Sequence, residues 1–314
     1  MYFAKRSISA WSVSELADRA SKPKRRERFR LIFAACWTAL TNGYLEGFLR
    51  GRIYTGGSKH VCVPGLNCYS CPGAFAACPI GALQATLSGR RYSVAFFVTG
   101  MLLLFGAALG RIVCGFLCPF GLVQDLLHKI PFPKKLRRLP RERVLRCIRF
   151  AVLGLFVILL PSVVRDVTGM GEPWFRKYIC PSGTLFGGIP NVLLNPTLRG
   201  SIGPLFWWKI GVMAFLLLLS IVLYRPFCRY LCPLGAVYGL CNPVALIRYE
   251  IKHDACVKCG QCEETCPFGI RVWEQPNSID CIRCGKCRAV CPTGAIAIKR
   301  ILPQKQTKSS EADA

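Results

Sequence analysis

The stretch Cys114-Gly-Phe-Leu-Cys118-Pro119-Phe-Gly121 recurs 114 residues later as Cys228-Arg-Tyr-Leu-Cys232-Pro233-Leu-Gly235. Each copy follows an apolar stretch of the length that a membrane-spanning helix needs. Two cysteines four residues apart share one face of a helical turn, so each copy can present two thiolates in one direction. The two copies together predict one inner membrane site with four thiolates. An iron–sulfur cluster is the favoured occupant. The alternatives are a tetrathiolate site for zinc or another metal, and reactive or structural thiols.

Composition favours a membrane protein. Of the 314 residues 52% are apolar, and the formal charge is +26. Nucleic-acid binding is one reading of this charge, but Lys and Arg alternate in density along the chain, with nine in residues 1–30, four in 51–91, nine in 119–149 and four in 165–206. This alternation is the positive-inside pattern. We therefore expect lipid contact, no nucleic-acid partner, and a multi-pass protein of a bacterial or archaeal cytoplasmic membrane with both termini cytoplasmic.

An internal repeat organises the apolar segments. Four segments are candidate membrane spans, at residues 31–49, 92–110, 150–164 and 201–224. Arg26-Glu27-Arg28 precedes the first span, and Arg141-Glu142-Arg143 precedes the third. Two spans per unit give both units the same orientation, so the repeat is parallel. The predicted fold is an all-α membrane domain of four transmembrane helices, built as a tandem two-helix repeat, followed by a small α+β ferredoxin domain.

The expected domain boundaries follow from this organisation. They are a basic cytoplasmic segment at 1–30, a membrane domain at 31–240 with repeat halves at about 26–125 and 141–240, a two-cluster ferredoxin domain at 241–300, and a disordered tail at 301–314.

The C-terminal cysteines carry the most specific motif. Two consecutive runs have the spacing C-x2-C-x2-C-x3-C-P of bacterial ferredoxins with two [4Fe-4S] clusters, in which the fourth cysteine of each run reaches the other cluster. A zinc site is the alternative, but zinc sites rarely have this tandem spacing. The predicted ligands are Cys256, Cys259, Cys262 and Cys291 for cluster A, and Cys281, Cys284, Cys287 and Cys266 for cluster B.

A third group of cysteines lies between the spans of both halves. Its members are Cys68, Cys71, Cys78 and Cys180. They predict an outer cluster, and the total is then two [4Fe-4S] clusters with one or two more. Two alternatives stay open: a redox-active pair, Cys68 and Cys71, in a transmembrane thiol–disulfide relay, or plain disulfides. Cys62 would be an odd thiol, and an odd count fits a disulfide framework poorly.

The remaining residues suggest little further chemistry. Cys36, Cys147 and Cys241 lack partners at ligand spacing, so packing is their expected role. The three histidines form no ligand set, so no haem is expected, and no flavin fingerprint is present. Glu46 in the first apolar segment is a candidate for carrying a quinol proton, although a solvated position at the outer interface is the simpler reading. Quinone is therefore a further candidate cofactor, and no catalytic residue is assigned.

The order of four spans, two Cys-x3-Cys-Pro turns and a terminal two-cluster ferredoxin resembles the NapH/NosR/YccM group of membrane polyferredoxins. The resemblance covers residues from about 26 to 300. It implies that electrons pass from quinol toward periplasmic reductases. The outer cysteines depart from the NapH pattern.

Together these features predict a membrane-integral iron–sulfur protein. It would relay electrons between a cytoplasmic or quinol donor and an extracytoplasmic acceptor, with redox proteins as partners. Such a protein would be an electron-transfer component of an oxidoreductase, for example a quinol dehydrogenase complex. The alternatives are the thiol relay and a redox-sensing or maturation ferredoxin.

Overall fold

The structure, a computed structural model, describes residues 13–89, 92–165, 169–200 and 202–300. The expected disordered tail and the first twelve residues of the basic segment lie outside these ranges. Within them the chain is helical, apart from one antiparallel two-stranded sheet. The four longest helices are Val13–Thr41, Tyr92–Leu109, Glu142–Val163 and Pro204–Val222.

Two helices of the described chain are long and apolar enough to cross a membrane. They are Glu142–Val163 and Pro204–Val222, each with a mean hydropathy of 2.2. The first has π-type geometry over Val152–Leu159. Phe96–Leu109 is a shorter apolar helix. Three of the four predicted spans therefore coincide with apolar helices.

The first predicted span, residues 31–49, does not form one helix. The helix that begins at Val13 ends at Thr41, and a separate short helix covers Leu45–Arg50. The amide of Asn42 turns back to the Thr38 carbonyl at 3.1 Å, which satisfies an acceptor at the helix end. Glu46 pairs with Arg50 at 3.0 Å, and both side chains are at least half exposed. The solvated reading of Glu46 fits this position.

Short elements connect the long helices. In the first half they are Gly57–His60, Pro79–Ser88, Ile112–Phe116 and Pro119–His128, and in the second half Phe175–Ile179, Pro181–Gly183, Thr184–Gly188, Ile189–Leu194, Pro196–Arg199, Pro226–Tyr230, Pro233–Cys241 and Asn242–Val244. The segment between the second pair of long helices is thus a series of helical turns rather than an open loop.

The two halves pack against each other in a reciprocal way. The helix Tyr92–Leu109 of the first half contacts Pro233–Cys241 of the second. In return, Pro204–Val222 of the second half contacts Pro119–His128 of the first. Each short helix that follows a Cys-x3-Cys-Pro turn is therefore held by a long helix of the opposite half.

The C-terminal region has the small sheet of a ferredoxin. Strands Ile247–Ile251 and Ile296–Arg300 pair antiparallel, and the short helices Gln261–Glu264 and Lys286–Val290 lie between them, after a turn at His253–Ala255. This region packs directly onto the helical part. Asn242 donates to the carbonyls of Ser278 and Cys281 at 2.7 and 3.0 Å, and Lys286–Val290 contacts the N-terminal helix.

Candidate functional site

Two cavities in the ferredoxin region are each lined by four cysteines. One, of about 400 Å³, is lined by Cys256, Cys259, Cys262 and Cys291. The other, of about 330 Å³, is lined by Cys266, Cys281, Cys284 and Cys287. These are the two quartets that the sequence spacing predicts for clusters A and B, including the exchanged fourth cysteine in each.

The two ferredoxin cavities differ in exposure. Cys259 of the first cavity is exposed, whereas Cys281 and Cys287 of the second are buried. Phe268 and Ile282 also line the second cavity and are almost fully buried. Cavity A therefore lies nearer to the solvent, and cavity B faces the helical part.

The inner four cysteines occupy equivalent places in two turn–helix units. Cys114 lies in the short helix Ile112–Phe116, and Cys118 caps the helix that begins at Pro119. Cys228 lies in Pro226–Tyr230, and Cys232 caps the helix that begins at Pro233. Proline suits the first helical position because its missing N–H would be unpaired there anyway. The Cys-Pro pairs therefore fix where each helix starts.

Two arginines exchange hydrogen bonds between the halves at this site. Arg111 donates through Nη2 to the carbonyl of Cys228 at 3.0 Å, and Arg225 donates through Nη1 to the carbonyl of Cys114. Both arginines are fully buried. Each arginine stands three residues before the first cysteine of its own copy. The repeated signature is therefore Arg-x-x-Cys-x3-Cys-Pro, which is longer than the cysteine spacing alone indicates.

The inner thiols lie within range of one another. All four are buried. Burial raises the pKa of Cys232 well above its ordinary value, and Cys228, Cys114 and Cys118 raise it further. Gln124 donates to the Cys228 sulfur at 3.2 Å, and the N–H of Gly235 points at the Cys232 sulfur at 3.4 Å. Gln124 of the first half thus contacts a thiol of the second half.

Five buried arginines outnumber the carboxylates that pair with them, and three of the five hydrogen-bond carbonyls of the Cys-x3-Cys-Pro turns. Arg30, Arg111, Arg149, Arg225 and Arg229 are at most 1% exposed. Among the described residues, several of their nitrogens lack a hydrogen-bond partner, including Nε and Nη2 of Arg30. Buried charges ordinarily have partners. A group that brings negative charge between the thiols, as an iron–sulfur cluster with its thiolates does, fits this surplus.

A third cavity, of about 380 Å³, contains the outer cysteines. Among the described residues, Cys68, Cys78 and Cys180 line it and Cys71 does not. Burial raises the pKa of Cys71, and the N–H groups of Gly73 and Ala74 and the ammonium of Lys59 lower it. Three of the four predicted outer cysteines therefore line one cavity, while Cys71 packs with Cys68 outside its lining.

The outer cavity has the size of the two ferredoxin cavities and further polar groups. Asn67 and Gln84 line it and are at most 1% exposed. In the described structure both side-chain atoms of Asn67 and Oε1 of Gln84 lack partners. Three thiol donors around a cavity similar in size to those of the two ferredoxin quartets fit an iron–sulfur cluster.

The outer and inner groups are neighbours. Burial raises the pKa of Cys118 to about 11, while the N–H of Leu66, in the loop before the outer cysteines, lowers it. Tyr238, which is fully buried, donates to the carbonyl of Pro64 at 2.9 Å. Its pKa is raised by burial first, and then by Cys114 of the inner group and Cys78 of the outer group. The loop from Pro64 to Cys68 therefore reaches down to the inner site.

Several cysteines lie outside these groups. Cys36 and Cys147 are exposed, Cys62 is buried, and Cys241 is intermediate. Across the described residues, no three His, Cys, Asp or Glu side chains are grouped as they would be around a single metal ion. Sequence reasoning also missed Gln124, Tyr238 and Asn67, because amides and a phenol at these places follow no ligand spacing.

Comparisons with protein families assign the regions of the inner cysteines and of the ferredoxin cysteines. The family Fer4_5, a 4Fe-4S binding domain, matches residues 90–140 and 205–247. The family Fer4, also a 4Fe-4S binding domain, matches residues 249–272 and 276–297. Each Fer4_5 match contains one Cys-x3-Cys-Pro copy, and each Fer4 match contains one ferredoxin run.

Curated relatives are ferredoxin-type proteins. The methylamine utilization ferredoxin-type protein MauN of Paracoccus denitrificans is 30% identical over 74% of this chain and 72% of MauN. The ferredoxin-type protein NapH of Haemophilus influenzae is 29% identical over 58% of this chain and 57% of NapH. The putative electron transport protein YccM of Escherichia coli is 27% identical over 57% of this chain and 46% of YccM. These relatives do not favour the thiol relay, and no solved structure matches the chain. The chain belongs to the ferredoxin-type 4Fe-4S proteins of the NapH/NosR/YccM kind, among which MauN also stands.

Proposed function

We propose that this protein is a membrane-integral electron-transfer protein that relays electrons between a cytoplasmic or quinol donor and an extracytoplasmic acceptor. The groups of cysteines would hold [4Fe-4S] clusters, and a bound cluster supplies one-electron redox chemistry. The chain's own residues bind the clusters, exclude water from them and set the surrounding charge, which are the means by which a protein tunes a cluster's potential.

The observation that carries the proposal is the continuity of the cysteine groups. The carbonyl of Ile282, next to Cys281 of group B, would lie 2.8 Å from a Cβ placed on Gly115, which follows the inner Cys114. On the other side of the inner group, the N–H of Leu66 bonds the thiol of Cys118. A bilayer core is about 30 Å thick, and such neighbouring sites remove the need for a single long step across it.

The proposed ligands follow the cavities. Clusters A and B would take the two ferredoxin quartets, and the inner centre would take Cys114, Cys118, Cys228 and Cys232. The outer centre would take Cys68, Cys78 and Cys180 from its cavity. Cys71 stays a sequence-based candidate for a fourth ligand of this centre.

Exposed apolar faces support integration in the membrane. Trp207 and Phe215, on the helix Pro204–Val222, are 65% and 64% exposed, and Phe96 is 78% exposed. The core helix of a soluble protein would bury such side chains, whereas lipid accepts them. We propose four membrane helices, with cytoplasmic termini and the ferredoxin region of about 241–300 on the cytoplasmic side of a bacterial or archaeal membrane.

The partners we propose are redox proteins. The names of the relatives speak of electron transport, of ferredoxin-type proteins and of methylamine utilization. A soluble donor would meet the exposed cavity A, while a quinol would enter from the lipid. In either case the protein would work as one component of an oxidoreductase system.

Vesicles provide the test of the proposed function. The purified protein is placed in liposomes with ferricyanide inside and titanium(III) citrate outside, and bleaching of ferricyanide is followed. We expect bleaching that Cys228→Ser slows at least about tenfold, because one thiolate of the inner centre is lost. Cys36→Ser, at an exposed cysteine, serves as the control with an unchanged rate. A rate equal to that of protein-free liposomes would refute the proposal.

A further inference from the structure

A buried carboxylate joins two arginines beside the inner cysteines. Asp125 accepts from Nη1 of Arg30 at 2.5 Å and from Nε and Nη2 of Arg225 at 2.7 and 2.5 Å. All three side chains are at most 2% exposed. The carboxylate of the first half thus holds the arginine that reaches across from the second half.

The second half has no carboxylate at the equivalent position. When the two Cys-x3-Cys-Pro copies are aligned, Arg225 corresponds to Arg111, and Asp125 corresponds to Gly239. Arg111 is buried like Arg225 and makes the reciprocal hydrogen bond to Cys228. By analogy with the first half, Arg111 needs an anionic partner that position 239 does not supply.

The ferredoxin region supplies this partner. One oxygen of Asp280 lies 2.6 Å from Nη1 of Arg149 and 3.4 Å from Nη1 of Arg111. The other oxygen lies 2.5 Å from Nη1 of Arg146. Asp280 therefore bridges a long-helix arginine and the cross-reaching arginine, as Asp125 does with Arg30 and Arg225.

Glycine at position 239 makes room for this arrangement. A Cβ built on Gly239 would lie 2.8 Å from the carbonyl of Ile279, the residue before Asp280. The same separation, 2.8 Å, holds between a Cβ on Gly115 and the carbonyl of Ile282. The ferredoxin loop thus sits against both halves at positions where any side chain would push it away.

We propose that Asp280 is a positioning residue through which the docked ferredoxin region completes the inner site. It supplies the second counter-ion of the pseudo-symmetric pair, in place of the carboxylate that the repeat lacks. Removal of the loop would take the carboxylate away from the guanidinium groups of Arg111 and Arg149, so docking and the charge of the inner site are coupled. The docking role stands on the described contacts, and only the effect on a cluster rests on the proposed function.

The test compares Asp280→Asn with Asp125→Asn in the full-length protein in nanodiscs. Both substitutions remove one negative charge from the inner site, but only the first lies in the ferredoxin region. Docking is read by hydrogen exchange of the backbone over residues 242–255 and 278–283. The inner centre is read by redox titration with EPR detection. Asp280→Glu is added as a conservative variant.

We expect Asp280→Asn to speed exchange in both segments at least about tenfold and to raise the midpoint potential of the inner centre. Asp125→Asn should raise the potential without opening these segments, and Asp280→Glu should restore part of the protection. Exchange unchanged in Asp280→Asn, or an equal opening in Asp125→Asn, would overturn the inference. Faster exchange in a protein without any inner EPR signal would support docking through Asp280 and refute the inner cluster of the proposed function.

Discussion

The outer centre allows the most direct test, because three cysteines line its cavity whereas the sequence predicts four ligands. Four cubane clusters contain about 16 irons per chain. Cys180→Ser removes one of the three thiols that line the outer cavity. We expect this variant to lose one cluster and retain about 12 irons, with matching loss of acid-labile sulfide.

Cys71→Ser is the informative companion to this variant. Cys71 is buried like its neighbour Cys68. Cys71→Ser therefore also tests whether a buried substitution in this loop by itself causes a loss of iron. Since the thiol of Cys71 lies beside Lys59 and outside the cavity, we expect Cys71→Ser to keep about 16 irons. A loss of about four irons from Cys71→Ser would instead show that its thiolate is the fourth ligand.

The assay is iron and sulfide analysis of protein purified without oxygen, with EPR of the reduced sample. Cys36→Ser is the control, because Cys36 is exposed and lines none of the three cysteine cavities, so its iron content should equal that of the parent protein. If Cys180→Ser retains all its iron and its EPR spectrum, the outer site is not a cluster. If the parent protein contains only about eight irons, the ferredoxin region holds all of them and the relay proposal is refuted.

Three further predictions concern the frame of the site. Asp125→Asn should lower the free energy of unfolding by about 3–5 kcal/mol, as measured by denaturant titration, because it leaves two buried guanidiniums without their partner. Burial acts to raise the pKa of Asp125, but its two arginines outweigh this effect and lower the pKa to about 2. The contribution of the Asp125 ion pairs to the free energy of unfolding should therefore be constant from pH 8 to 5 and be lost as the pH falls through about 2. A loss of this contribution near pH 6 would contradict the assignment. Gly115→Val should release the ferredoxin region, which would be seen as faster proteolysis. Gly100→Val is the control, because a Cβ at Gly100 would meet nothing within 4 Å. Equal cleavage of the two variants would contradict the close approach of Gly115 to the carbonyl of Ile282. Tyr238→Phe removes the hydrogen bond to the carbonyl of Pro64 and should lower stability by about 1 kcal/mol in a thermal unfolding scan, while an unchanged midpoint would show that this bond is not formed.

The sequence predicts the ferredoxin quartets because their spacing is local. The first three cysteines of each run line one cavity, and the fourth lines the other. The C-x2-C-x2-C-x3-C-P spacing itself predicts this exchange. The composition of the two cavities therefore matches the predicted grouping. The predicted boundary at 241 places this region directly after the last apolar segment, but the sequence does not show which of its residues contact the helical part. The contacts that fix it, such as the hydrogen bond of Arg283 to the carbonyl of Leu109 at 3.2 Å, follow no pattern in sequence.

The first apolar segment shows a detail that average hydropathy does not resolve. Residues 31–49 are apolar enough on average to suggest one span, yet the helix stops at Thr41 and resumes at Leu45. The break depends on Asn42, whose amide bonds the preceding turn, and on Gly43, where a Cβ would lie 2.8 Å from the carbonyl of Ala39. Side-chain competition of this kind is invisible to an average over a window.

The positive residues of the chain have two roles, and the sequence indicates only the first of them. The alternating density of Lys and Arg indicates orientation in a membrane. The structure buries five of the arginines, and Arg30, Arg111 and Arg225 hydrogen-bond carbonyls of the two Cys-x3-Cys-Pro turns. Arg111 and Arg225 reach across to the opposite half, so their role emerges only when the halves meet. A Lys at either place would lose the planar fork that lets one guanidinium hold a cysteine carbonyl and a carboxylate together. The two arginines therefore belong to the inner site as much as its thiols do, because they bind the two Cys-x3-Cys-Pro turns to each other and supply positive charge opposite the thiolates.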